Sequence, residues 1–218
     1  MRRDSLVAGA FLILSVAVTA CSRNPPPEPA PVPDTTTATP SADTASDAAR
    51  REAEANRLCE RALAAMESGD YQTARELLQQ VVRDYPGTEC AGRAPAELER
   101  ANVLEAITAR IHFEFDMWRI TNDAAAVLQR KAEALRAHPS VQLTIEGHCD
   151  ERGSLEYNQA LGLRRAEEAK QYLVNLGLDT ARFRTVSYGE ERPLQAASDE
   201  AAWAQNRRAE FAIVAGEI

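Results

Sequence analysis

The sequence predicts an α+β protein, in which a small helical module precedes a domain built on a mixed β-sheet. Three observations lead to this prediction. Apolar residues recur at helical spacing between residues 51 and 110. Beyond residue 110, short segments that alternate apolar and polar residues take turns with further helical segments. Their order is strand–helix–strand–helix–strand–strand (β-α-β-α-β-β), so two helices can cover one face of the sheet.

Composition narrows the classes of function. The chain has 218 residues, of which 44% are apolar, so one domain or two small ones can have a core. The formal net charge is −8. Because phosphate binding needs a basic surface, the sequence predicts no nucleic-acid partner. An acidic chain can still bind a polymer of another kind, provided that the binding is local and specific.

The N-terminus has the pattern of a targeting segment. Two arginines precede the apolar run 6–17, which is too short for a comfortable membrane span. Small residues at 18–20 stand directly before Cys21, as in the lipobox of bacterial lipoproteins. We therefore predict that residues 1–20 are a lipoprotein signal peptide and that Cys21 is acylated. The alternative is ordinary cleavage, with Cys21 left as a free thiol. Ser22 is not the aspartate that favours inner-membrane retention, which implies the outer membrane.

Residues 21–50 are predicted to form a disordered tether behind the lipidated cysteine. Seven of the eleven prolines lie there, and Thr, Ser, Ala and Asp fill most of the rest. Such a composition cannot bury a core and is typical of an extended or disordered segment. At about 3 Å per residue, a polyproline-like segment of this length could bridge a bilayer and a wall.

Residues 51–110 are predicted to form a small helical module. Two apolar stripes are separated by a break at 68–70, the second ends at 85–87, and a third helix is expected over 94–109. The spacing around the break resembles a tetratricopeptide (TPR) unit. Only one unit is visible, whereas free-standing arrays need about three. A helical hairpin packed by the third helix and a partner-binding surface both remain open.

The cysteines divide by position. Cys59 lies in the first predicted helix and Cys90 just past the second, so a helical hairpin would bring them together. We predict a Cys59–Cys90 disulfide, because the expected compartment is the oxidising periplasm. Cys149 would then be unpaired, and we interpret it as a small buried residue.

Residues 111–218 are predicted to form the sheet domain. Thr121 can cap its first helix, which ends at His138-Pro139. Gly177 closes the long second helix. The predicted strands cover residues 111–115, 141–147, 182–188 and 209–214, and the long helix covers 155–176.

The turn between the second strand and the long helix carries candidate binding residues. Asn158, Leu161 and Arg165 are spaced by three and four, so they share one helical face. Asp150 lies in the turn that feeds this helix. A carboxylate and a guanidinium would meet at the opening of one site, beside the backbone N–H groups at the start of the helix. This arrangement suits a ligand with an ammonium and a carboxylate. The alternatives are a helix cap for Asp150, and for Arg165 an ion pair with Asp150 or Glu168.

These residues carry a resemblance to a known family. The run 147–150, with Gly153, Asn158, Leu161 and Arg165-Ala166, resembles the signature of OmpA-like C-terminal domains, over roughly residues 111–214. Within that family the run is most similar to the peptidoglycan-associated lipoprotein group (Pal).

The resemblance implies a peptidoglycan-binding site. Asp150 and Arg165 match the positions that hold the diaminopimelate of the stem peptide. Asn158 and Leu161 would line the site, and Phe115 and Asp116 would border it.

The resemblance also implies a place and partners. The protein would anchor the outer membrane to the wall from its periplasmic face, with Tol proteins as partners in envelope integrity and cell division. The alternative is an envelope assembly scaffold that acts through its TPR-like helices, with the OmpA-like domain as wall anchor.

Catalysis and metal binding are not expected. The run His148-Cys149-Asp150 offers a base, a nucleophile and an acid, but successive strand residues point to opposite faces. None of the three histidines has a partner at helical metal spacing, and there is no Cys-x-x-Cys pair. We predict no enzyme, no metal and no cofactor. His148 is interpreted as holding the turn by hydrogen bonds, and Arg207 and Arg208 as tying the sheet end to nearby acids.

Overall fold

The computed structural model describes residues 42–218, with side chains from residue 45 onward. The predicted signal peptide, Cys21 and the proline-rich segment up to residue 41 lie outside the described residues. Helix α1 covers Ala42–Glu67, so the end of the predicted tether, residues 42–50, is helical. This stretch has four alanines and no proline, and alanine has the highest helix propensity.

The helical module consists of three helices. Helix α2 covers Tyr71–Asp84 and α3 covers Glu89–Thr108. The Asp70 side chain caps α2 and the Thr88 side chain caps α3, each by accepting a backbone N–H three residues on. Helix α3 therefore begins before residue 94, the predicted start, and contains Pro95. The apolar interior of the module is formed by Ala55, Leu58, Ala62, Leu77, Leu78, Val81 and Ala94.

A disulfide joins the first and third helices of this module. It links Cys59 of α1 to Cys90 of α3, the pair that the sequence predicts, with Cα atoms 6.4 Å apart. Both cysteines are buried in the interior of the module. The bond therefore connects α1 directly to α3, although α2 lies between them in the sequence.

The second part of the chain forms a four-stranded mixed sheet. Its strands are β1 (Ile111–His112), β2 (Gln142–His148), β3 (Phe183–Gly189) and β4 (Arg208–Ala215). The spatial order is β1-β4-β2-β3. Strand β2 is parallel to β3, and β4 is antiparallel to both of its neighbours. The predicted α+β class is confirmed, although β1 has two residues rather than five.

Three further helices and a short 3₁₀ helix complete the domain. Helix α4 covers Asn122–Ala137, α5 covers Leu155–Asn175, a 3₁₀ helix covers Thr180–Arg182 and α6 covers Glu200–Asn206. Helices α4 and α5 pack on one face of the sheet, as predicted. The shared core includes Leu128, Leu135, Leu143, Ile145, Ala166, Leu173 and Phe211, all buried.

The module and the sheet domain share a core at the end of α3. Ile107 is fully buried in the same apolar cluster as Ile111 and Leu128. Lys131 of α4 is also fully buried, and its ammonium donates to the carbonyl oxygens of Ala106, Ile107 and Ala109. These are helix-end carbonyls without a partner within α3 or just beyond it. The side chain of Lys131 therefore fixes the end of the module to the domain.

Among residues 42–218, no helix combines the length and the apolar character that crossing a bilayer requires.

Candidate ligand-binding site

A cavity of about 250 Å³ opens where β2, α5 and the loop after β1 meet. All six residues that the sequence predicts for a binding site line it: Phe115, Asp116, Asp150, Asn158, Leu161 and Arg165. The remaining lining residues are Cys149, Arg152, Gly153, Tyr157 and Arg207. The predicted residues therefore come together in one place.

Two glycines bring the elements of the site close to one another. A Cβ atom on Gly147 of β2 would lie 1.8 Å from the carbonyl oxygen of Gly162 in α5. Strand and helix can approach this closely only without a side chain at that position. The close approach positions the turn after β2 against the face of α5 that carries Asn158 and Arg165.

Asp150 is held by two arginines. It is 4% exposed, and its carboxylate accepts bonds from the Arg152 backbone N–H (3.1 Å) and guanidinium (2.6 and 3.2 Å). The Arg207 guanidinium donates to the same carboxylate at 3.2 Å. Burial alone would raise the pKa of Asp150, but these donors lower it below the usual value. Ser154 caps α5, so the cap interpretation of Asp150 is wrong.

The arginines at the start of β4, Arg207 just before it and Arg208 as its first residue, have the structural role predicted for them. Arg207 Nη2 donates to Glu200 at 2.7 Å, and Arg208 Nε donates to Glu210 at 2.7 Å. Arg207 also donates to the carbonyl of Phe113, which fixes the loop after β1. The end of the sheet is thereby tied to the nearby acids Glu200 and Glu210.

Arg165 is bound mainly by backbone carbonyls. It is 0% exposed, and it donates to the carbonyl oxygens of Met117 (Nε, 2.8 Å), His148 (Nη1, 2.7 Å) and Glu114 (Nη2, 3.2 Å). Nη1 also contacts the Cys149 sulfur at 3.4 Å. A guanidinium has five N–H donors, so one on Nη2 has no partner among the described residues. Neither predicted ion pair, with Asp150 or Glu168, is among the salt bridges of residues 42–218.

The mouth of the cavity is aromatic. The Arg152 guanidinium lies between the rings of Phe115 and Trp203, 4.0 and 4.1 Å from their centroids. The Tyr157 hydroxyl donates to Asp116, whose φ of 56° is unusual for a residue other than glycine. Arg152 and Tyr157 are not among the residues predicted from the sequence, although both lie near predicted residues in the chain. Trp203 is distant in sequence, and no local signal indicates it.

The neighbouring thiol and imidazole have different surroundings. Cys149 is buried, its thiol donates to the carbonyl of Asn158, and burial raises its pKa to about 11. It is the small buried residue that the sequence predicts. Neither ring nitrogen of His148 has a hydrogen-bond partner within residues 42–218, so the prediction that its side chain holds the turn is wrong. Its backbone carbonyl does so instead, by accepting from Arg165.

Two family profiles match the chain. That of the OmpA family matches residues 112–207. A second, described as the limonene-1,2-epoxide hydrolase catalytic domain, matches residues 53–151. The second match begins inside α1 and stops after β2, so it leaves out α5, β3 and β4. It therefore contains neither Asn158 nor Arg165 of the cavity.

Relatives in other bacteria are named peptidoglycan-associated lipoproteins. That of Rhizobium meliloti is 50% identical over 100 residues, which are 46% of this chain and 57% of the relative. That of Pseudomonas putida is 43% identical over 120 residues, 55% of this chain and 71% of the relative. A crystal structure of the peptidoglycan-associated lipoprotein from Burkholderia pseudomallei is 42% identical, with a TM-score of 0.47, and the match covers 48% of this chain and 88% of that one. The chain thus spans little more than half the length of some curated relatives that it matches.

Proposed function

We propose, from the premise that this chain belongs to the peptidoglycan-associated lipoproteins of the OmpA family, that it binds peptidoglycan noncovalently and anchors the outer membrane to the cell wall. Acylation of Cys21 would hold it on the periplasmic face of that membrane. Tol proteins would be its partners in envelope integrity and cell division. The observation that carries the proposal is the cavity in which all six predicted residues meet.

The ligand that we propose is the diaminopimelate of the stem peptide. Its free end carries an ammonium and a carboxylate, so it needs an anionic and a cationic partner a few ångströms apart. Asp150 supplies an ionised carboxylate, because its lowered pKa keeps it charged at neutral pH. Arg165 supplies its remaining N–H. The exposed Phe115 and Tyr157 would shield both contacts from water.

Arg152 controls access to Asp150. Its guanidinium now donates to both oxygens of that carboxylate, at 2.6 and 3.2 Å, and is stacked on Phe115. A ligand ammonium that pairs with Asp150 must take this place, so Arg152 must turn away on binding. Because its side chain is only partly buried, this movement disturbs no core packing.

We propose no catalytic role. The thiol of Cys149 has a raised pKa of about 11, so it is not a thiolate at neutral pH. Asp150 is bonded to two cationic side chains, and the lowered pKa makes it a poor general base. These properties support a site that binds and does not react.

The test is retention of the purified full-length protein on isolated sacculi. Asp150→Asn removes the charge with little change of shape, and Asp116→Asn removes the second carboxylate of the cavity. Asp123→Asn, at an exposed position in the first turn of α4, is the matched control. We expect Asp150→Asn to lose at least about tenfold in retention, the equivalent of one charged hydrogen bond of 1.5–3 kcal/mol. Retention of all three variants at the level of the parent would contradict the site.

The scaffold alternative draws support from one feature of the helical module. A cleft of about 410 Å³ lies between the turn 68–72 and β4. Deleting 51–110 cannot test it, because Ile107 and the acceptors of Lys131 belong to the domain core. Gln72→Arg would crowd the cleft instead. Unchanged envelope integrity in a strain with this variant would remove the support for a scaffold.

A further inference from the structure

Three potential metal ligands meet on the face of the sheet that α4 and α5 leave uncovered. Glu146 and His148 come from β2, and Glu210 comes from β4. Glu146 and Glu210 are directly opposite each other in the antiparallel pair. One ligand atom from each of the three residues lies within 4.8 Å of the other two.

We propose that Glu146, His148 and Glu210 form a binding site for a first-row divalent metal ion, with zinc as the best fit. The site is independent of the cavity proposed for peptidoglycan. The sequence predicts no metal because no histidine has a partner at helical spacing. In the structure, Glu146 and His148 lie two residues apart on β2 and Glu210 lies on the neighbouring strand, a pairing that local spacing does not show.

The strongest observation is the imidazole of His148. It is 1% exposed, yet both ring nitrogens lack a hydrogen-bond partner within residues 42–218. An unpaired buried polar group costs about 1–3 kcal/mol, so such groups call for an explanation. Its Nε2 lies 3.9 Å from Glu146 Oε2 and so faces the two carboxylates. A metal bond to this nitrogen would satisfy it.

The ring of His148 is also held in place by its surroundings. It lies against Tyr188, with centroids 5.5 Å apart, which helps to fix its orientation.

The two carboxylates repel each other unless a cation or a proton lies between them. Glu146 lies directly opposite Glu210 on the neighbouring strand, so two like charges face each other. Glu210 is oriented by Arg110 and Arg208, which both donate to its Oε1. Its Oε2 makes no hydrogen bond to the described residues, so this oxygen could bind a metal. The two arginines would then act as outer partners, which commonly orient metal-bound carboxylates.

The donor set distinguishes among metals. Zn²⁺ accepts both imidazole nitrogen and carboxylate oxygen, and three protein ligands leave the fourth position of a tetrahedral site open for water. Magnesium and calcium prefer oxygen ligands throughout, so we expect neither to compete at equal concentration. Zinc bonds of about 2.0–2.2 Å require ligand atoms closer together than 3.9 Å. Rotation of the two glutamate side chains can supply this change.

The test uses the full-length protein in detergent, stripped of metal with a chelator. Isothermal titration with Zn²⁺ gives stoichiometry and affinity, and Co²⁺ reports tetrahedral coordination by its visible absorption. We expect one Zn²⁺ per chain, a higher melting temperature with Zn²⁺, and no such rise with Mg²⁺. Glu146→Gln and His148→Phe should each weaken Zn²⁺ binding by about tenfold or more. Glu133→Gln, on the exposed side of α4, is the control and should bind as the parent does.

Two results would overturn the proposal. One is Zn²⁺ binding by Glu146→Gln with the affinity and stoichiometry of the parent. The other is the lack of any Zn²⁺ binding or tetrahedral Co²⁺ spectrum in the parent. If the buried His148→Phe substitution prevents folding, Glu146→Gln alone decides, because this position is only partly buried.

Discussion

Replacing Arg165 with alanine should destabilise the protein severely, in addition to any effect on ligand binding. Its guanidinium donates to the backbone of Glu114, Met117 and His148, three carbonyls from two separate segments. Without it, these oxygens lose a charged donor. The cavity loses the side chain that connects α5 to the loop after β1 and to the end of β2.

The magnitude follows from the burial of each acceptor. The bond to His148 is buried, whereas those to Glu114 and Met117 are partly accessible to water. A buried carbonyl left unpaired costs about 1–3 kcal/mol, and water would partly compensate the other two. Alanine also removes the packing of a fully buried side chain, whereas it relieves the cost of burying a charge. Together these effects should lower the free energy of unfolding by about 3–5 kcal/mol. For a protein of this size, that lowers the melting temperature by about 10–15 °C.

The assay is thermal and urea denaturation, followed by circular dichroism. Arg164→Ala is the matched control, because this neighbouring arginine is exposed and its guanidinium lies over the face of Trp118, 5.2 Å from the ring centroid. We expect Arg164→Ala to melt within about 2 °C of the parent, as exposed substitutions do. The reasoning is refuted if Arg165→Ala melts as high as Arg164→Ala. Arg165 would then be needed only for ligand binding.

Three further predictions follow from individual contacts. Gly147→Ala should cost about 1–3 kcal/mol in urea denaturation, because its Cβ would collide with the Gly162 carbonyl; an unchanged midpoint would contradict the close approach. Burial lowers the pKa of Lys131 in the folded protein. Between that lowered pKa and the unfolded-state value of about 10.4, the unfolded state binds more protons than the folded state, so the free energy of unfolding rises with pH. The parent should therefore gain stability relative to Lys131→Met from pH 7 to 10, whereas parallel urea curves would contradict the shift. Arg152→Ala should strengthen sacculus binding by freeing Asp150; weaker binding would instead assign Arg152 to the ligand carboxylate.

The elements that depend on local periodicity could be predicted from the sequence. The apolar face of α4 at Leu128, Ala132 and Leu135 is buried as expected, and Thr121 caps this helix. Strand β1 is shorter than its alternating sequence predicts. Its continuation is drawn out of the sheet where the Glu114 carbonyl bonds to Arg165, and no local pattern contains that contact.

In the candidate site, too, local patterns could be predicted from the sequence and tertiary contacts could not. The spacing of Asn158 and Arg165 places them on one face of α5, and the structure has both lining the cavity. The partners of these side chains were not predictable. Asp150 bonds to Arg207 across 57 residues of sequence, and Arg165 reaches Met117 across 48. Such contacts depend on tertiary packing, so the sequence indicates which residues meet and not which bonds they make.

The position of β4 has a consequence for the order in which the protein folds. This strand comes last in the sheet by sequence, yet it lies between β1 and β2. Strand β1 has no other partner in the sheet, so it stays unpaired until residues 208–215 arrive. The helical module forms from near neighbours in sequence, whereas pairing over such separations is slow. We therefore expect a folding intermediate with an ordered module and an incomplete sheet, in which the edge of β2 that pairs with β4 is still without its backbone partners.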